Sequence, residues 1–113
     1  MIKNGAKKLK IYDTTEGTRP YSDWLSKLRD VSAIARIRAR IDRIEEGNLG
    51  TYKALGTGLF ELKFHLGPGY RIYFAVDGDV VILLLSGGDK GSLRRDIEKA
   101  RNYWTDYLMR KRK

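Results

Sequence analysis

The hydrophobic positions change period along the chain, and each change marks an element. Leu9 and Ile11 alternate with Lys8 and Lys10, which predicts a short strand over Lys8 to Asp13. Thr14 to Arg19 is a polar connection. Pro20 then suits a first helical turn, where its missing N–H would have no partner anyway. Tyr21, Trp24, Leu25 and Leu28 follow at helical spacing. Asp30 and Val31 separate this helix from a second, for which Ser32 is the expected N-cap. Ile34, Ile37, Ile41 and Ile44 form one stripe of the second helix, with Arg36, Arg38, Arg40 and Arg43 on its other faces. Gly47 is placed to end it in a left-handed conformation.

From Tyr52 onward the period falls to two. Phe60, Leu62, Phe64 and Leu66 share one face, and Glu61, Lys63 and His65 the other. Gly67-Pro68-Gly69 is a turn, after which Tyr70, Ile72, Phe74 and Val76 resume the apolar face, with Arg71 and Tyr73 opposite. Asp77-Gly78-Asp79 turns the chain into Val80 to Leu85, which is apolar throughout and reads as a central strand. A last helix begins at about Ser92, with Leu93, Ile97, Ala100, Trp104 and Leu108 in helical register. The predicted class is α+β, in the order β-α-α-β-β-β-α: a strand, two helices, an antiparallel meander of three or four strands, and a helix. Residues 1–113 contain no repeat or linker and read as one domain, with a basic tail over 109–113 that is expected to fray.

Charge narrows the function. Lys and Arg number 23 against 14 Asp and Glu, giving a net +9 and a pI near 9.9. The residues Arg110 to Lys113 supply four of those charges, so the rest still carries +5. Such an excess concentrates polyanions around the molecule and favours nucleic acid over neutral small molecules. The second-helix arginines fit either nucleic-acid contacts or the solvated face of an amphipathic helix. With no cysteine there is no disulfide or thiolate metal site, and a single histidine argues against a metal centre or cofactor anchored by imidazoles. No apolar run approaches the ~20 residues that span a bilayer, and Met1 leads into Lys3, Lys7, Lys8 and Lys10 rather than a secretory signal. The expectation is a cytoplasmic protein without a membrane partner.

Hairpin parity locates candidate chemistry. A three-residue turn at Gly67 to Gly69 would set Leu66 opposite Tyr70, His65 opposite Arg71 and Lys63 opposite Tyr73. The next strand runs back and ends near Gly87, with Lys90 just beyond. Lys63, His65, Arg71 and Lys90 are therefore expected to converge, with Glu61 and Tyr73 nearby. Leu83 and Leu85 fall on the same face as Arg71, so the last helix is expected to cover part of it. Three cations and a histidine suit an RNA phosphate. Cleavage without metal needs a deprotonated 2′-hydroxyl, stabilised charge on phosphorus and a protonated leaving 5′-oxygen. Arginine offers a planar fork for phosphate oxygens, lysine a mobile point charge, and histidine titrates near neutrality. The competing reading has Lys63 and Arg71 paired with Glu61 and Asp77 on a solvated sheet face. The glycines at Gly56-Thr57-Gly58 and at Gly87-Gly88-Asp89-Lys90-Gly91-Ser92 do not have the spacing of a phosphate-binding loop. Asp77 and Asp79 fit a hairpin turn better than a metal site.

An ordered set of motifs runs through these positions. They are Trp24-Leu25 with Leu28-Arg29-Asp30, Gly47-Asn48-Leu49-Gly50, and Gly58-Leu59-Phe60-Glu61-Leu62-Lys63. Gly67-Pro68-Gly69-Tyr70-Arg71-Ile72-Tyr73-Phe74 follows, then Gly88-Asp89-Lys90, then Asp96-Ile97 and Ala100. Over roughly Ile11 to Tyr103 the chain resembles the RelE superfamily of toxins, specifically the HigB-like branch of phage-derived or addiction-module killer proteins. The resemblance implies a RelE-like fold and a toxin of a type II toxin–antitoxin system, held inactive by a helix-turn-helix antitoxin with which it forms a hetero-oligomer. It also implies cleavage of mRNA on the ribosome, and so growth inhibition. Under it Arg71 matches a phosphate-stabilising arginine, Lys63 a strand lysine implicated in catalysis, and His65 and Lys90 fall near other basic residues of the site. Lys53, Tyr73, Arg94 and Arg95 are expected to bind RNA. Glu61 stands where RelE has a lysine and Ile97 where a late tyrosine would align, which leaves the proton-transfer roles open. The same fold includes ParE-type toxins that poison DNA gyrase without cutting RNA, so a gyrase inhibitor and a non-catalytic nucleic-acid-binding remnant stand as alternatives.

Overall fold

The computed structural model describes residues 5–78 and 81–112. The readings that fall on Met1, Lys3, Asp79, Val80 and Lys113 lie outside the described residues. The elements are β1 (Lys8–Ile11), α1 (Pro20–Lys27), α2 (Val31–Glu45), β2 (Lys53–Gly56), β3 (Leu59–Lys63), β4 (Arg71–Asp77), β5 (Val81–Gly88) and α3 (Leu93–Lys111), with a single 3-10 turn over Lys90–Ser92. The protein is α+β, and its five strands form one mixed sheet in the order β1-β5-β4-β3-β2. Strands β2 to β5 are the antiparallel meander, whereas β1 adds to β5 in parallel. The meander has four strands, because Lys53–Gly56, too short to show alternation, still pairs with β3.

Helices cover both faces. The even-numbered residues Leu62, Phe64, Ile72 and Phe74 pack against Ile37, Ile41 and Ile44 of α2 and Tyr21 of α1. On the opposite face Leu59, Ala75, Leu83 and Leu85 pack against Ala100 and Trp104 of α3. Parity requires this, since successive strand residues point to opposite faces and Leu83 and Leu85 need cover as much as Ile82 and Leu84.

Several local details differ from the sequence reading. Asp30, not Ser32, caps α2: its carboxylate accepts from the Ala33 N–H at 3.0 Å. The helix closes as expected at Gly47 (φ 100°), where Gly47 N–H donates to Ile44 and Asn48 N–H to Arg43, the paired closure that a left-handed residue permits. The β3–β4 hairpin is shifted by two from the predicted register. Lys63 faces Arg71 and Glu61 faces Tyr73, because the turn is wider: Phe64 N–H still bonds Tyr70 C=O, and Gly69 N–H closes a β-turn on Leu66. The basic tail does not fray before Lys111. Arg110 pairs with Asp106 at 2.9 Å, donates to the Asp13 carbonyl and lies over the Tyr12 ring, while Lys111 pairs with Asp77 at 2.5 Å. Among the described residues no helix is long and apolar enough to cross a membrane.

Candidate functional site

The wide turn after β3 builds an open pocket of about 480 Å³. Lys63, His65, Arg71 and Lys90 all line it, together with the turn itself. Each arrives by a different route. Lys63 is the last residue of β3 and Arg71 the first of β4, and the two are register partners. His65 is exposed on the turn. Lys90 leaves the end of β5, and its backbone N–H reaches the Pro68 carbonyl at 3.4 Å, which holds the β5–α3 connection against the hairpin. The Asp89 carboxylate stiffens that connection by accepting from Gly91 N–H at 2.8 Å. Gly69 sits between the two cationic arms: a Cβ there would lie 3.3 Å from Arg71 Nη1 and 3.4 Å from Lys90 Cβ. A side chain at this position would crowd both.

Arg71 is held from behind. It is buried, donates from Nη1 to the Gly69 carbonyl at 2.8 Å, and faces the buried Glu61 with Nε 3.7 Å from Oε1. The pairing with Glu61 is the one the alternative sequence reading raised, but it lies under cover rather than on a solvated face. The separation is too long for a hydrogen bond, and Arg71 Nε has no hydrogen-bond partner among the described residues. Tyr73 and Ser86 lie side by side in the neighbouring row, and the Tyr73 hydroxyl and Ser86 Oγ are likewise buried without partners. A bulge in β5 between the partners of Tyr73 and Phe74 turns Ser86 to this face. Burial, then the carboxylates of Glu61 and Asp96, push the Tyr73 hydroxyl well above its ordinary range, so it remains neutral. The far side is closed by Asp96, which accepts from the Ser92 hydroxyl in the first turn of α3.

Other expected contacts are distributed differently. Lys53 is exposed and lines a second pocket of about 590 Å³, to which Lys63 and His65 also belong. Tyr73 has no exposed surface, so the direct RNA contact expected of it does not fit its position. Its face is covered because α3 packs on the sheet there. Arg94 and Arg95 are exposed beside Gly91 and Glu98, in a separate shallow depression that shares no residue with the turn pocket. Arg40 is the residue that sequence reasoning undervalued. It donates to the Lys63 carbonyl at 3.0 Å and to the Thr51 carbonyl, and its guanidinium lies 5.3 Å from the Phe64 ring centroid. Periodicity placed it off the apolar stripe but could not show that β3 ends beneath it. Ser86 gave no signal either, because a bulge is invisible to strict alternation.

A five-stranded mixed sheet, covered on both faces and carrying a cationic pocket at one hairpin end, defines the class: a small basic α+β protein. No known protein-family profile matches the chain. It is 43% identical over 84 residues to an uncharacterized protein of Haemophilus influenzae, an overlap of 74% of this chain and 85% of the relative. The chain belongs to the same family as that protein.

Proposed function

We propose that this protein is the toxin of a type II toxin–antitoxin pair, with a RelE-like fold of the HigB-like branch, and that it cleaves mRNA on the ribosome as a metal-independent endoribonuclease. The observation that supports this best is the meeting of Lys63, His65, Arg71 and Lys90 around one open pocket. Arg71, fixed by the Gly69 carbonyl and backed by Glu61, offers phosphate oxygens a cation that needs little reorganisation. Lys90 supplies a second positive charge from the opposite wall. His65 and Lys63 are exposed at the rim, within the same pocket, and are the groups for proton exchange with the 2′-hydroxyl and the leaving 5′-oxygen. In the reaction the 2′-oxygen loses its proton and bonds phosphorus, the P–O5′ bond breaks, and the 5′-oxygen gains a proton. The products are a 2′,3′-cyclic phosphate and a 5′-hydroxyl. The chain works in the cytoplasm on this reading, its exposed basic residues binding ribosomal RNA and a helix-turn-helix antitoxin covering it when silent.

Inducible expression of the chain beside an Arg71→Ala variant, with mRNA ends and DNA supercoiling followed together, tests the proposal. Growth arrest with new mRNA 5′ ends that the variant does not produce is expected. Arrest with intact mRNA and altered supercoiling would replace the nuclease with a gyrase inhibitor, and toxicity untouched by Arg71→Ala would remove the site.

A further inference from the structure

The second pocket adjoins the first, and of the walls it does not share, the proposed reaction uses only Glu61. It lies between the C-terminal half of α2, the loop after Gly47 and the β2–β3 edge, and its volume of about 590 Å³ exceeds that of the turn pocket. That size is within the ~300–1,000 Å³ usual for pockets that take small organic ligands. Its chemistry is divided. Leu49 and Tyr52 give an apolar side, the Tyr52 ring being fixed edge-on against Phe60 and Phe74 at 5.4 and 6.4 Å. Arg40, Arg43 and Lys53 give a cationic side, and Asn48 stands beside them. Lys63 and His65 belong to both pockets and form the wall between them.

The charge here is poorly neutralised. The only carboxylate lining the pocket among the described residues is Glu61, which already faces Arg71. Arg40 is pinned by two backbone carbonyls, so its charge stays in place rather than swinging into solvent. Burial, and after it the neighbouring Arg43, lower the Arg40 pKa. A positive rim anchored at Arg40, beside the Leu49 and Tyr52 wall, matches a nucleotide, whose phosphate needs the cations and whose base needs a surface to lie against.

We infer that this groove is a second nucleotide subsite, which holds the RNA residue next to the one cleaved. The inference rests on the proposed nuclease reading for its direction, since a strand with one phosphate in the turn pocket passes its neighbour across Lys63 and His65 into the groove. It assigns Arg43 and Lys53 to the substrate strand and makes the Leu49–Tyr52 wall a contributor to sequence preference.

Short 2′-O-methyl RNA oligonucleotides, which lack the attacking hydroxyl, are the probe. Arg43→Gln and Lys53→Gln are each expected to weaken a fluorescein-labelled trinucleotide about 5- to 10-fold and to lower the slope of log affinity against log salt by about 0.7. Binding of a mononucleoside monophosphate should change by less than about 2-fold. Lys99→Gln, an equal loss of charge on exposed α3 surface, should leave trinucleotide binding unchanged. Trinucleotide affinity unaltered by Arg43→Gln and Lys53→Gln would overturn the subsite. Hexaglutamate competing with the trinucleotide at equal affinity and equal salt dependence would also overturn it, in favour of an acidic protein segment. Cleavage of ribosome-bound mRNA by the wild type separates the two claims. If Arg43→Gln and Lys53→Gln cleave at unchanged rates and sites, the subsite fails and the nuclease stands. If they lose trinucleotide affinity while the wild type cuts nothing, the groove stands as a nucleotide-binding site, and the nuclease, with the groove's place beside a cleaved residue, fails.

Discussion

Strand β4 begins at Arg71 and ends at Asp77, and these two ends of one strand, on the same face of the sheet, treat charge differently. At the Asp77 end the carboxylate is matched by close donors. Its carboxylate accepts from the Tyr107 hydroxyl at 2.8 Å and from Lys111 at 2.5 Å, and Lys111 is largely exposed. These bonds, Lys111 first, hold the Asp77 carboxyl below its ordinary range, and burial, then the bond to Asp77, push the Tyr107 hydroxyl up to about 12. At the Arg71 end the ions are buried and 3.7 Å apart, and among the described residues Arg71 Nε, the Tyr73 hydroxyl and Ser86 Oγ have no hydrogen-bond partner, as is also true of Arg110 Nε on α3. A fold optimised only for stability would tighten or delete such a pair. Loosely matched polar groups cluster at functional sites, and on the proposed nuclease reading the Arg71 end is the one kept for chemistry.

Substitutions can break or sharpen this contrast. Between the two ends, Phe74 is fully buried against α2's side of the sheet and sets the scale of pure packing. Phe74→Ala should cost about 3–5 kcal/mol in urea denaturation. Arg71→Ala leaves Glu61 buried without its cation and should cost about 3 kcal/mol. Replacing both members, Arg71→Met with Glu61→Leu, should recover most of that loss in a double-mutant cycle. A double variant no more stable than Arg71→Ala would mean that the pair stabilises the fold after all. Tyr73→Phe removes a buried hydroxyl that has no partner among the described residues, so the same denaturation curves should show no loss and a gain of up to about 1 kcal/mol. Asp77→Asn should show the smallest effect, about 0.5 kcal/mol near pH 7, because Lys111 is screened by solvent. Its sign with pH follows from the depressed carboxyl. The contribution is complete above the unfolded-state value and is lost as pH falls through the folded one, so wild type and Asp77→Asn should converge in acid.

The core was legible where periodicity was strong. Ile37, Ile41 and Ile44 of α2 and the even face of the β3–β4 hairpin pack together because period 3.6 and period 2 each leave only one face to bury. The convergence of Lys63, His65, Arg71 and Lys90 was legible for the same reason, since a register error of two preserves every face. The turn that produced the error was not, because Gly67-Pro68-Gly69 permits hairpins of different width. Nor were the reasons behind some motif residues. Gly87 leaves room for the Trp24 ring, as a Cβ there would come within 2.2 Å of it, and Gly88 makes the same allowance for the Asp96 carboxylate. Trp24 and Gly87 are far apart in the chain, Gly88 and Asp96 are separated by the turn into α3, and both pairs meet only in the folded protein. That the last helix covers part of the Arg71 face was legible from Leu83 and Leu85, but how completely it buries Tyr73 and Arg71 was not, because that depends on where α3 lands.

The central claim is that the turn pocket cuts RNA, and purified translating ribosomes test it most directly. Wild-type protein and Arg71→Lys, which keeps the charge but loses the planar fork, are added to ribosomes carrying a defined mRNA, and the new ends are mapped and their chemistry identified. The account predicts discrete cuts bearing 5′-hydroxyl and 2′,3′-cyclic phosphate ends, slowed by about 100-fold or more in Arg71→Lys. Intact mRNA with the wild-type protein, or cuts made equally fast by the variant, would contradict it.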